Sequence, residues 1–402
     1  MDRRSPVVLA EQLGLRSPQS MSWSLRWVGG RSQTMPDVSV IICTHNPRSD
    51  YLHRALNALQ AQTVSKANWE LLIVDNAGKE SLAATWDLSW HPLARHTREP
   101  ELGLTQARLR GIRESSGELL VFIDDDNVLA PDFLEHAINI VARYPCFGAF
   151  GAGNLEPEFE VPPAAKFHPF LPKLALRNVP SARWSNNPHD SDSIPRGAGL
   201  CVTRRVANTF RKLIEDLNVS DILGRRGSAL FSGEDDLFSW VAVGGGQGFG
   251  LFPELRVTHL ISAVRLTTRY FVRLAHDHAF SHGVLRYLLT GTQPDRLSWI
   301  RCAHVCLHGI KNGQFSMRRQ WAESRGKDSA ARFIIQRQLQ PIGAVASSEF
   351  STLTTVHSAI GSVSASYGDP HGNGRDVAAS GFVPGERSNL SIGSRFGNAK
   401  PR

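Results

Sequence analysis

The sequence predicts an α/β protein built on a doubly wound, mostly parallel sheet. Three observations carry that prediction. Short β-branched runs recur without polar alternation, as strands covered on both faces require. Segments with one apolar face at helical spacing separate them. Acidic residues stand where several runs end, which is the edge at which open parallel sheets receive their ligands. Strand and helix alternating in this way imply right-handed crossovers and helices on both faces.

Pro36 opens the first strand, Val38-Ser-Val-Ile-Ile-Cys-Thr44. The turn Asn46-Pro47 follows, then Leu52, Ala55, Leu56 and Leu59 on one helical face. Residues 69–75 form a second strand, 102–115 a helix, 118–124 a further strand, and 131–143 a helix with Pro131 in its first turn. From 154 to 195 the periodicity fades into proline, asparagine and histidine, which predicts a long, partly ordered loop tied to substrate contact. Residues 199–203 resume as a short strand, a helix begins near Glu234, and 265–313 reads as helices. Beyond 343 the chain turns to serine and glycine, with 11 Ser and 8 Gly in 347–402, the composition of a disordered tail. Four parts result: a flexible segment 1–35, a catalytic-type domain 36–262, a basic helical extension 263–342, and the tail 343–402. No internal repeat is present.

The 402 residues are 41% hydrophobic, enough for a sizeable core. The formal charge of +8 is unevenly spread. Residues 36–262 hold 22 basic and 27 acidic side chains, a net of −5, whereas 263–342 hold 13 and 4, a net of +9. The basic balance is therefore not a property of the α/β part, which argues against a nucleic-acid binder. Five scattered cysteines, an odd number, argue for a reducing compartment. No apolar run approaches the roughly 20 residues that span a bilayer, and a cytoplasmic protein, peripheral on the inner face of the membrane, is expected.

Asp124-Asp125-Asp126 follows an apolar strand directly. Adjacent carboxylates repel, and a hard cation such as Mg²⁺ or Mn²⁺ holding a diphosphate is a natural reason to gather them. A solvated acidic turn is the plain alternative. Asp75 ends a neighbouring strand, where a carboxylate accepts hydrogen bonds from a ribose or base. Gly233-Glu234-Asp235-Asp236 opens a helix, placed either as a general base or as an N-terminal cap. Burial there would raise a carboxylate's basicity from about 3.9 toward what a sugar hydroxyl requires.

The segments Pro36 to Asn46, Glu70 to Asn76, Gly103-Leu-Thr-Gln-Ala-Arg108-Leu-Arg-Gly111, Gly117 to Asp126, and Gly233-Glu-Asp-Asp236 resemble, in order and spacing, family 2 glycosyltransferases of the GT-A fold. The resemblance covers roughly 36–259. It implies a GT-A sheet with a Rossmann-like nucleotide half, an acceptor half and C-terminal helices. It implies inverting transfer from a nucleotide-diphospho-sugar to a carbohydrate or lipid-linked acceptor, with Mn²⁺ or Mg²⁺ as cofactor. By position, Thr44, His45 and Asn46 match the loop around the base, and Asp75 the acid on base or ribose. Asp124 and Asp126 match the outer members of the DxD motif, Asp126 for the metal and Asp125 for the ribose. Arg108 matches the arginine of the nucleotide-binding stretch, where Leu109 departs from the usual asparagine. Asp235 matches the general base, with Glu234 accessory to it. His259 falls where many such proteins carry a histidine reaching metal or diphosphate, and Gly197 and Gly199 match the acceptor-side segment.

Other features are weaker. Gly246-Gln-Gly248-Phe-Gly250 follows a helix rather than a strand and reads as a turn. Cys302, His304, Cys306 and His308 alternate along a helix and so point to different faces, unlike a zinc site. Arg265, Arg269 and Arg273 form a stripe at every fourth residue, and 265–289 is expected either to lie on an anionic membrane or to pack on the domain with its arginines in water. A sugar nucleotidyltransferase and a non-catalytic binder of nucleic acid or carbohydrate are the competing readings; the former lacks its glycine-rich basic loop after the first strand.

Overall fold

The computed structural model describes residues 37–341 apart from Asn218. The expected segment 1–35, Pro36 and the tail 343–402 lie outside the described residues. In chain order the strands are β1 (Val38–Thr44), β2 (Trp69–Asn76), β3 (Ala94–Glu99), β4 (Leu119–Ile123), β5 (Asn127–Leu129), β6 (Phe147–Phe159), β7 (Arg177–Asn178), β8 (Arg183–Ser185), β9 (Leu200–Thr203) and β10 (Gly248–Ile261). The helices are α1 (Ser49–Gln60), α2 (Leu82–Thr85), α3 (Leu104–Glu114), α4 (Phe133–Arg143), α5 (Arg204–Leu217), α6 (Ser220–Leu223), α7 (Glu234–Gly244), α8 (Thr268–Thr290) and α9 (Trp299–Gln336), with a 3₁₀ helix at Ala165–Leu174.

All ten strands join one sheet in the order β3-β2-β1-β4-β9-β6-β10-β5, with β7 on β6 and β8 on β10. The first four strands are parallel, and β9 runs antiparallel to both β4 and β6. The α/β class with a central sheet between helices is as expected, and the sheet is mixed. Short β9 joins the halves because its apolar residues are covered on both sides. Alternate residues of β1 show the double winding: Ile41 and Cys43 pack with Ala107, Leu109 and Ile112 of α3, whereas Val40 and Ile42 pack with Leu52, Leu56 and Leu59 of α1. Gly111 lets α3 close on β1, since a β-carbon there would lie 2.6 Å from Ile41 Cγ2.

Residues 154–195 are more ordered than their composition suggests. β6 continues to Phe159, the 3₁₀ helix buries Phe167 and Leu174, and β7 and β8 pair with longer strands. The composition misled because proline suits a 3₁₀ helix, and strand pairing supplies order that local periodicity does not record. Strand β9 begins at Leu200, so Arg196–Gly199 is a loop. Helix α8 lays Phe280, Val284, Leu285 and Leu288 into the core that also holds Ile41 and Phe122. Among the described residues no helix is long and apolar enough to cross a membrane.

Candidate active site

A cavity of about 330 Å³ opens at the carboxyl edge of β1 and β4 and gathers residues from both halves of the sheet. Asp124, Asp125 and Asp126 form the turn between β4 and β5. Buried Asn127 clamps this turn: its Oδ1 accepts from the Asp124 backbone N–H at 3.0 Å, and its Nδ2 donates to Asp126 Oδ1 at 3.0 Å. The mutual repulsion of the three acids is answered from far along the chain. Arg265 Nη1 lies 3.0 Å from Asp126 Oδ2, and His259 Nε2 lies 3.5 Å from the same oxygen. Burial opposes the charge on Asp126, yet the adjacent Arg265 guanidinium holds its carboxyl well below the usual range. Asp125 goes the other way: burial, then the charge of Asp126, pushes it up to about 7, although the Thr44 hydroxyl donates to its Oδ2.

The opposite wall carries the second triplet, at the start of α7, where free backbone N–H groups favour negative charge. Arg108 reaches it from α3. Its buried guanidinium donates to Glu234 Oε2 at 3.0 Å and Asp235 Oδ1 at 3.3 Å. Asp235 Oδ2 accepts from the Gly197 N–H at 2.8 Å. Glycine is required there, because a β-carbon on Gly197 would stand 2.6 Å from Arg108 Nη2 and 3.1 Å from Asp235 Oδ1. The burial expected at Asp235 falls on its neighbours instead. Asp235 keeps a quarter of its side chain open to the cavity, while Glu234 is 3% exposed. Burial raises the pKa of both Glu234 and Asp236. Asp236 faces His282 at 3.5 Å and Arg196 at 3.8 Å.

Of the residues given site roles by the family resemblance, all line this cavity except Asn46, Asp75 and Gly199. Asn46 is exposed in a left-handed conformation (φ +49°) and donates to His45 Nε2 at 2.9 Å. The His45 ring in turn donates from Nδ1 to the Asn76 carbonyl at 2.7 Å. Asp75 is buried, with Oδ1 accepting from the Gly78 N–H at 3.0 Å and Oδ2 lying 3.6 Å from Arg98. Gly199, at φ +79°, faces Phe133 and Val257. Arg108, matched by position to nucleotide contact, spends its guanidinium on the second triplet.

Arg265 is the main residue that sequence reasoning placed wrongly. It was expected on an exposed helical stripe, but it sits in a 3₁₀ turn, Ala263–Leu266, ahead of α8, with its side chain 15% exposed. Of that stripe Arg269 is exposed, and Arg273 pairs with Asp277 at 3.5 Å. The available signal was the need of three adjacent carboxylates for a cation, with Arg265 six residues after His259. Asn127, Arg225 and Lys173, the latter two also on the cavity wall, carried no local signal.

Residues 39–179 match the family described as Glycosyl transferase family 2. They form a family 2 glycosyltransferase domain. The chain is similar to glycosyltransferase AglE of Haloferax volcanii, at 32% identity over 114 residues, 28% of this chain and 37% of that one. It is likewise similar to a dolichol-phosphate mannosyltransferase of Pyrococcus furiosus, at 33% identity over 112 residues, 26% of this chain and 30% of that one. The chain spans about a third of the length of the curated relatives it matches. Among solved structures, the mannosyltransferase PcManGT from Pyrobaculum calidifontis, in complex with GDP-Man and Mn²⁺, aligns at 18% identity and a TM-score of 0.42, over 88% of this chain and 87% of that one. S. aureus TarS 1–349 aligns at 12% identity and a TM-score of 0.40, over 75% and 92%. The domain match ends before the second triplet, His259 and Arg265.

The donor set of this cavity fits a divalent cation held by few protein ligands. Arg265 Nη1 lies 2.8 Å from His259 Nε2, and a guanidinium only donates, so that nitrogen carries the lone pair and the proton sits on Nδ1. His259 Nδ1 is buried without a partner. Asp126 Oδ2 and His259 Nε2 therefore both aim electron pairs at one cationic position, filled here by a guanidinium. Among the described residues no three His, Cys, Asp or Glu side chains converge as a metal cage.

Proposed function

We propose that this protein is a metal-dependent, inverting glycosyltransferase that moves a sugar from a nucleoside-diphospho-sugar to an acceptor hydroxyl. One observation carries the reading: a carboxylate triplet neutralised by Arg265 and a partly open, oriented Asp235 line the same cavity. The nucleotide lies along the ends of β1, β2 and β4, with His45, Asn46 and Asp75 at the base and ribose and Asp125 beside them. Mn²⁺ or Mg²⁺ would be held by Asp126 and His259 with Asp124 alongside, and when bound it supplies Lewis acidity toward the diphosphate. The Arg265 guanidinium, which fills that position here, would yield it to the ion and turn to the diphosphate.

Asp235 performs the proton transfer. The Gly197 N–H fixes one of its oxygens and Arg108 the other, so its remaining lone pairs point in a set direction. As the acceptor oxygen bonds to the anomeric carbon, its proton passes to Asp235, and the bond from that carbon to the diphosphate oxygen breaks with its electron pair. A single displacement inverts the configuration. Glu234 acts through Arg108 as a positioning residue. Beyond Lys173, which lines both spaces, a second cavity of about 490 Å³ carries Phe170, Phe271, Arg286 and Lys327, a wall suited to the distal part of a carbohydrate or lipid-linked acceptor.

The test is a screen of nucleotide sugars with Mn²⁺ for release of nucleoside diphosphate, followed by Asp235→Asn. Transfer is expected to fall about 10²- to 10⁴-fold while nucleotide affinity, measured by calorimetry, is retained. Turnover unchanged in the variant overturns the assignment, and release of pyrophosphate would indicate a nucleotidyltransferase instead.

A further inference from the structure

The strongest unexplained feature lies outside the cavity, on the first part of α9. Gly313, at φ +84°, breaks α9, so residues 299–312 form a separate amphipathic helix of about four turns. Trp299, Ile300, Leu307 and Ile310 on this helix are 79, 62, 66 and 84% exposed. At 100° per residue these four, together with exposed Ala303 and Cys306, fall within a stripe about 120° wide. Val305, on the opposite side, is 1% exposed and anchors the helix to the body. Arg301 ties the same helix down by donating to Ser324 Oγ at 3.0 Å. Scattered exposed apolar residues are ordinary, but an uncovered stripe of this size on an otherwise anchored helix marks a contact surface.

We infer that residues 299–310 dock this protein onto an anionic lipid surface, with the apolar stripe buried at the level of the head groups. Charge selects that occupant. Residues 263–342 carry a net of +9, and Arg318, just past the Gly313 break, is exposed. An apolar stripe in a segment of net positive charge, on a helix too short and too polar to span, is the pattern of a helix that lies in the membrane interface. A second copy of this chain, with the same +9 segment, would bring like charges together. The surface replaces the one expected at 265–289, whose Phe271 is buried and whose Arg265 serves the cavity.

The test is co-sedimentation of the full chain with vesicles of phosphatidylcholine alone or with about 30% phosphatidylglycerol, a composition that gives a strongly negative surface. The wild-type protein is expected to pellet with the anionic vesicles, and less so at about 1 M salt, where the screening length is about 3 Å. The double variant Leu307→Gln, Ile310→Gln removes two side chains, each contributing on the order of a factor of 10 or more when buried. Its partitioning should fall at least about 100-fold, with an unchanged thermal melt and unchanged nucleoside diphosphate affinity. Failure of the wild type to bind anionic vesicles, or undiminished binding of the variant, overturns the inference. So does a wild-type dimer in sedimentation velocity that the variant converts to monomer, since the stripe would then be covered by a second copy.

Discussion

The two acidic triplets on the walls of the cavity are alike in sequence and opposite in how they are neutralised. Asp124–Asp126, in the nucleotide half, receives Arg265 from the segment after β10. Glu234–Asp236, beyond the nucleotide half, receives Arg108 from α3, within the nucleotide half. Buried Arg108 thus crosses to the second triplet, and Arg265, from the segment after β10, crosses to the first. The first triplet is cross-braced by His259 and leaves Asp125 near 7, so one of its acids readily takes up a proton. The second depends on Arg108 for both Glu234 and Asp235, and burial already opposes the charge on Glu234. The difference teaches that the cavity is clasped by two long-range ion pairs, the second of which leaves its buried carboxylate with no other cation.

Breaking that second pair should have the largest effect. Arg108→Met leaves Glu234 buried without its cation, a change that costs about 3–5 kcal/mol where the charge persists. Above about pH 4.3 the unfolded chain has released a proton that folded Glu234, its pKa raised, retains. Stability of the variant therefore falls as pH rises. Urea unfolding at pH 5 and pH 8 measures this, and a loss that does not grow with pH would show that Glu234 is not the stranded charge.

Arg265→Met should cost less stability, because Asp126 keeps His259 and Asp125 accepts a proton near neutral pH. Its effect falls on nucleotide binding instead. Loss of a charge-assisted contact to the diphosphate weakens binding about 10- to 100-fold, read by calorimetry with UDP and GDP in the presence and absence of Mn²⁺. Equal affinity in wild type and variant would reduce Arg265 to a brace for Asp126.

The smallest effect concerns histidines behind the second triplet. His278 is held down to about 2 by burial first, with His282, Lys173 and Arg196 adding to it. Its ring lies tilted against that of His282, with centroids 4.1 Å apart, and His282 pairs with Asp236. A depressed histidine contributes stability above its unfolded pKa of about 6.5 and loses it on acidification, by up to about 1.4 kcal/mol per pH unit. His278→Asn should flatten the fall in stability between pH 6.5 and 5. An identical slope in both proteins would place the acid sensitivity elsewhere.

Much of the first triplet's setting was legible because it is local. Continuous apolar runs specify β1, β2 and β4, and a parallel sheet places Thr44, Asp75 and Asp124 at one edge. Strands β3, β6 and β10 were less legible. β3 reads Ala-Arg-His-Thr-Arg-Glu, without an apolar run, and the long β6 and β10 are held chiefly by pairing with each other. Residues 154–195 likewise gain their order from partners distant in sequence.

The sequence alone determined the α/β class, the two acid triplets, and the imbalance between an acidic domain and a basic extension, because strand runs, helical periods and charge counts are local properties. Only the tertiary structure decided which arginine serves which triplet, that Asp235 rather than Glu234 is open to the cavity, and which apolar side chains of the extension remain uncovered. Those outcomes depend on burial and on pairings across 126 residues or more, between Arg108 and Glu234 and between Asp126 and Arg265, and no local period encodes such pairings.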